Sequence, residues 1–235
     1  MIVKSATYFK KDIYLPHAKV GATDAVTDVE IRLDDFIDEY EQDCLEKCFG
    51  SRLYLEFTNN LDDTEPTFIT SGADAKWGYL LNGQSYTNSN GEAVVWKGIR
   101  QKTVSLGSSD EGVYDASFLA QYIYFFHESN ASITRSNAGN VRSKSANAER
   151  VSPTPKAVKA WRKFVKLVQG EMLENPYFYK NSSIGLGGCA VDYYATTENS
   201  NISLYQFIAD QNDLVEDTYE NFEPKAWGNM NNLGI

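Results

Sequence analysis

Three cysteines and two histidines are the only thiols and imidazoles in 235 residues. Cys44 and Cys48 stand four apart, so on a helix they share a face and could contribute to a metal site. A structural zinc site wants four such ligands in recognisable spacing. No second pair exists and Cys189 stands alone. The pair therefore reads as buried thiols, and no metal is expected. His127 closes an apolar run and reads as a packed histidine at a helix C-terminus, not a general base. His17 follows Pro16 in a loop and carries no signal.

Catalytic patterns are missing from the chain. There is no G-x-S-x-G, no phosphate-binding G-x-x-x-x-G-K and no H-E-x-x-H. Gly185-Leu-Gly-Gly188 lacks the strand, helix and trailing acid of a dinucleotide site. Asp34-Asp35 and Asp62-Asp63 read as solvated charge, and nothing nominates two carboxylates poised across a cleft for glycosidase chemistry. The aromatic run Tyr122–Phe126 could stack bases or sugars, but at helical spacing it reads as core. The expectation is no catalytic residue and no cofactor. The positions that remain are Arg135, Arg142, Lys144 and Arg150, in a polar stretch whose one acid is Glu149. They suit a solvated loop, an intersubunit salt-bridge arm or a DNA-facing loop. Arginine serves the last two because its fork binds carboxylate and phosphate bidentately.

The elements that would position these residues are mainly helical. Thr27-Asp-Val-Glu30 is a capping box. Behind it Val29, Leu33, Phe36, Ile37, Tyr40, Cys44 and Cys48 follow one helical face, with Asp34, Asp35, Asp38, Glu41 and Glu46 on the other. Gly50 suits the position just past that helix, and Ser51 can cap a second one, whose Leu53, Tyr54 and Phe57 fold back on the first. Residues 64–76 read as loop. Gln84–Thr87 and Ala93–Trp96 flank Asn88-Ser-Asn-Gly91, which predicts a β-hairpin. Phe118–Phe126, within 110–129, is apolar nearly all round and predicts a buried central helix. Thr154-Pro155 opens a helix with Pro at its first position, N1. There Val158, Trp161, Val165, Val168 and Met172 form the stripe, and Lys156, Lys159, Arg162, Lys163 and Lys166 fill the rest. Ile202–Gln211 predicts a short helix with Leu204, Phe207 and Ile208 inward; an acidic, irregular tail follows from Asp213. Residues 130–152 show no stripe and few large apolar side chains. They are expected to be an extended arm that gains order from a neighbouring subunit.

Charge divides the chain. The whole carries 32 acidic and 22 basic residues, a net of −10. Residues 131–170 hold nine basic residues against Glu149, a net of +8, between two strongly acidic stretches. The net charge of −10 argues against wholesale wrapping of nucleic acid, while the division is useful where a basic stretch meets an acidic neighbour or lines a channel. No apolar run reaches the roughly 18 residues of a membrane span. Met1–Lys10 lacks the apolar stretch of a secretory signal, and three cysteines fit a reducing cytosol.

An ordered set of segments then resembles a known family: the head-to-tail connector or head-completion proteins of tailed phages that infect Bacteroidetes, including ring proteins of crAss-like phages. The segments are Glu39–Phe57, Leu81–Tyr86, Val95–Gly98, Ala120–Phe126, Asn147–Pro153 with the Trp161 helix, Ser203–Ile208 and Asn232–Ile235. Residues 103–112 and 177–194 depart from the pattern, and nothing is carried over there. The resemblance implies a helical bundle with a small β-hairpin insertion and an extended arm, as one connector domain over 1–235. It would comprise an N-terminal arm (1–27), the hairpin (84–97), the extended arm (131–152) and a C-terminal extension (174–235). It implies a structural virion protein, assembled in the host cytoplasm as a homo-oligomeric ring, usually twelvefold. The ring would sit beneath the portal at the head–tail junction, meet tail or further neck proteins, and extend the channel through which DNA passes. It implies no active site and no membrane. The alternatives are a tail-completion or decoration protein and, in another class, a carbohydrate-active enzyme.

Overall fold

Seven consecutive side chains, Phe118 to Tyr124, are buried in the computed structural model. Such a segment needs neighbours on every side, and the fold is arranged around it. The structure describes residues 2–3, 8–9, 11–15, 28–62, 68–101, 117–131, 134–136, 139–141, 154–170 and 202–228. A 3-10 turn at Lys11–Ile13 precedes α1 (Asp28–Phe49), α2 (Ser51–Asn59) and α3 (Ala75–Asn82). The hairpin β1 (Gln84–Thr87) and β2 (Ala93–Trp96) follows, then α4 (Phe118–Ala131), β3 (Thr134–Ser136), β4 (Gly139–Val141), α5 (Thr154–Gln169) and α6 (Leu204–Leu214). The protein is mainly helical with small antiparallel β elements, as expected.

Helix α4 packs against both α1 and α5, and α5 packs on α6. Ser117 starts α4: its hydroxyl accepts from Leu119 N at 3.1 Å and donates to Ile99 O at 2.8 Å, satisfying a helix N–H while itself buried. On α1, Ile37, Cys44 and Cys48 are buried, with Phe36 and Tyr40 half-buried beside α4. Leu53 and Phe57 bring α2 back onto α1. Ser51 is not the cap of α2. It is the first helical residue, Gly50 holds the cap position without a side-chain bond, and the Ser51 hydroxyl donates to Glu46 instead. A helix that restarts one residue after another ends leaves its cap to the glycine that stopped the first.

Part of the stretch expected as loop is helical. Asp74 accepts from Lys76 N at 2.9 Å and caps α3. With Trp77, Leu80 and Leu81 buried, this one short turn-and-a-half of apolar spacing suffices. The strands β1 and β2 pair Gln84 with Trp96 and Thr87 with Ala93, with the bounds read from the sequence. Their turn uses Gly91 alone at positive φ, +81°. Gly91 N bonds Asn88 O, and the Asn88 side chain accepts from the amides of Asn90 and Glu92. That is a turn followed by a left-handed glycine, the three-residue form of hairpin loop. At the hairpin's base Gly98 crosses the end of α3. A Cβ there would lie 2.4 Å from Asn82 C and 2.5 Å from Gly83 N, so no side chain fits.

The chain's two outer stretches are structural. Ile2, Val3, Tyr8, Phe9, Ile13 and Leu15, from the expected N-terminal arm, are all in the core. So are Leu204, Tyr205, Phe207, Ile208, Tyr219 and Trp227 of the expected C-terminal extension. After α6, residues 222–228 run as a strap. Its Glu223 and Lys225 amides donate to Phe49 O and Lys47 O, occupying carbonyls that the end of α1 leaves open. Trp227 then seats among Tyr122, Trp161 and Phe164. Gln169 fixes it from both sides, donating to Trp227 O at 2.8 Å and accepting from Trp227 N at 2.9 Å.

In the expected arm, β3 and β4 pair with each other, Thr134 opposite Val141 and Ser136 opposite Gly139. These six residues find backbone partners within their own segment, where strand addition to a neighbour was one expectation. The rest of 132–153 lies outside the described residues.

Candidate interaction surface

The apolar stripe of α5 decides which of its residues stay wet. Ala157, Val158, Ala160, Trp161, Phe164, Val165 and Val168 are buried, Trp161 and Phe164 against the rings of α4. The stripe is wider than the every-third-or-fourth pattern because the two alanines flank it. The helix ends at Gln169, with Gly170 at φ +90°, and Met172, the last residue of the expected stripe, lies outside the described residues.

What remains on α5 is basic. Lys156, Lys159, Arg162 and Lys163 are exposed and Lys166 is half-buried. At about 100° per residue these cations occupy one arc of roughly 120° on the helix. Helix α5 contains no acidic residue. A carboxylate from another element reaches the face: Asp12, on the N-terminal 3-10 turn, pairs with Lys159 at 2.7 Å. The hydrogen bond and charge of Lys159 lower the Asp12 pKa, and Lys163 and Lys156 lower it further. The face is thus electropositive enough for three of its lysines to act on one acid.

Helix α1 shows the opposite sign. Asp38, Glu39, Gln42 and Glu46 are exposed, within an arc of about 100°. Toward α4 the acids of α1 are spoken for. Asp43 binds Lys47 at 2.7 Å and accepts from Tyr122 Oη at 2.5 Å. Glu41 is buried and accepts from the amides of Ile2 at 2.7 Å and Val3 at 2.9 Å. Burial raises the Glu41 pKa and those two bonds oppose the rise. Asp210 on α6 is the other buried acid among the described residues. It accepts from Tyr86 Oη at 2.8 Å and from Gln206 Nε2 at 2.6 Å, and burial raises its pKa against those bonds.

Of the residues nominated from sequence, Arg135 lies on β3 opposite Asn140. Arg142, Lys144 and Arg150 lie outside the described residues, as do His17, Cys189 and the loops 103–112 and 177–194. Cys44 and Cys48 are free, buried thiols with sulfurs 4.0 Å apart. Among the described residues no group of three His, Cys, Asp or Glu could hold a metal. His127 is a packed side chain: Phe36 meets its ring edge-on at 5.6 Å, and burial lowers its pKa. Its Nδ1 is buried without a hydrogen bond. No described helix is long and apolar enough to cross a membrane. The cations of α5 were visible in the sequence as the complement of its stripe. Helical period gathers them on one arc of the helix.

Comparison with protein-family models, curated proteins and solved structures found no match.

Proposed function

We propose that the chain is a structural subunit of a phage neck. Copies assemble as a ring beneath the portal, twelvefold to match it, join head to tail and extend the DNA channel. The observation that supports this most directly is segregation of charge by helix: every charged residue of α5 is a cation, in a chain of net −10. A monomer needs no such division, whereas a repeating assembly uses it at every contact. On this reading Arg135, Arg142, Lys144 and Arg150 meet a neighbour's carboxylates or DNA phosphates. The resemblance in the sequence supplies the portal and tail as partners and the virion as the location.

Native mass spectrometry and sedimentation of the full chain, alone and with a portal protein, test the reading. Ring-sized species, or addition of a full ring to the portal, are expected. A chain that remains a monomer or small oligomer in both conditions overturns it. Release of sugars from a glycan panel by such a chain would replace it with the enzyme reading.

A further inference from the structure

The basic face of α5 and the acidic face of α1 lie on separate helices, both anchored to α4. We propose that they are the two halves of one contact: the α5 face of each copy seats the outer face of α1 from a second copy. This rests on the ring reading and names its interface.

Three observations carry it. The faces match in sign and in length. Lys156 to Lys166 spans about 15 Å of helix and Asp38 to Glu46 about 12 Å at 1.5 Å per residue. The α5 face already accepts a carboxylate from outside its own helix, that of Asp12 on Lys159. The chain's net charge of −10 repels duplex DNA, with about one negative charge per 1.7 Å of its axis, more strongly than it repels a second copy, whose 32 acids are offset by 22 basic residues. A second copy therefore fits the face better than duplex DNA. Because the halves are different surfaces, each copy uses one and leaves the other for the next, a heterologous contact that closes into a ring when the rotation allows. Exposed ion pairs are individually weak, so the contact depends on several acting together.

Charge exchange tests this on the full-length protein. One variant carries Lys156→Glu with Lys163→Glu, which leaves the Lys159–Asp12 pair in place. The other carries Asp38→Lys with Glu39→Lys. Each alone opposes like charges, and self-association should weaken by about tenfold or more at low salt. Mixed together, each variant again meets opposite charge at both of its faces, and assembly should return. Circular dichroism and melting confirm that both variants fold. Wild-type assembly should itself weaken as salt shortens the Debye length from about 8 Å at 0.15 M to about 3 Å at 1 M.

Two folded variants that assemble like wild type, or that stay apart when mixed, overturn the proposed contact. So does a wild type that remains monomeric at low salt. Loss of duplex-DNA retention by the α5 variant with assembly intact assigns the face to nucleic acid and also overturns it. If charge exchange rescues only a reciprocal dimer, the contact stands and the ring reading falls. If rings form regardless of the exchange, the ring reading stands and the contact falls.

Discussion

Helices α4 and α5 lie side by side and solve opposite problems. From Phe118 to Tyr124, α4 has no wet face, and even Gln121 is buried. One side of α5 is equally dry, but about a third of its circumference carries Lys156, Lys159, Arg162, Lys163 and Lys166 and no acid. The difference shows where stability and association reside. A change on α4 has no solvent to relax into and must appear as lost folding energy. A change on the outer face of α5 alters the field offered to a partner and leaves the core untouched.

The strongest attempt to break that contrast is Phe118→Ala, which removes a fully buried ring from α4. A loss of about 3–5 kcal/mol is expected in denaturant unfolding, from transfer energy plus the cavity left behind. An unmoved midpoint would place the spine elsewhere. Ile123→Ala should cost about 2–5 kcal/mol by the same mechanism.

Next in size is Gln169→Ala, at the end of α5 where its dry face meets the strap. Both main-chain groups of Trp227 lose their partner at once. Each buried polar group left unsatisfied costs about 1–3 kcal/mol. Fluorescence of Trp227, now less firmly held, should shift together with the unfolding curve. A strap that held by ring packing alone would leave stability unchanged.

A smaller effect comes from Asp210→Asn. Burial raises the carboxyl pKa above its ordinary 3.8. The native state therefore holds the proton more tightly than the unfolded chain, and stability falls as pH rises from that ordinary value through the raised one. Asparagine keeps an acceptor for Gln206 and does not titrate. The melting temperature of the variant relative to wild type should rise between acid and neutral pH. A difference independent of pH would mean that Asp210 titrates as it does in the unfolded chain. Glu41 contributes the same sign of slope to both proteins and cancels in the comparison.

The least effect on folding is expected from Lys156→Ala, on the wet face of α5. Surface changes of this kind stay within about 0.5 kcal/mol. A larger loss would show that the face supports the fold of its own subunit, and the contrast with α4 would collapse.

By itself the sequence determined the elements whose signals are local. Five of the helices were legible from period, caps or an apolar run: α1, α2, α4, α5 and α6. The hairpin β1–β2 was legible to the residue, since alternating β-formers and an Asn-Gly turn act within a few positions of one another. The sign of α5's outer face was equally legible, because helical period makes it the complement of the stripe. Helix α3 was missed. Its cap, Asp74, and its stop, Gly83, were both present, but only Trp77, Leu80 and Leu81 mark a dry side.

Tertiary structure alone decided the roles of the two outer stretches. Ile2 and Val3 meet Glu41, some 38 or 39 residues away, and Trp227 meets Gln169, 58 residues away. Neither segment is helix or strand at those points, so no period announces which side chain turns inward. A backbone without its own ladder must find partners elsewhere, and those partners exist only once α1, α4, α5 and α6 have come together. The same holds for Asp210 and Glu41. Glu41 reads as a surface acid on the polar face of its helix, and nothing in the sequence singles out Asp210; both are buried, with a pair of distant amides or a distant tyrosine brought to them. Periodicity is a property of neighbours in sequence; the pairing of polar groups in the interior is a property of neighbours in space.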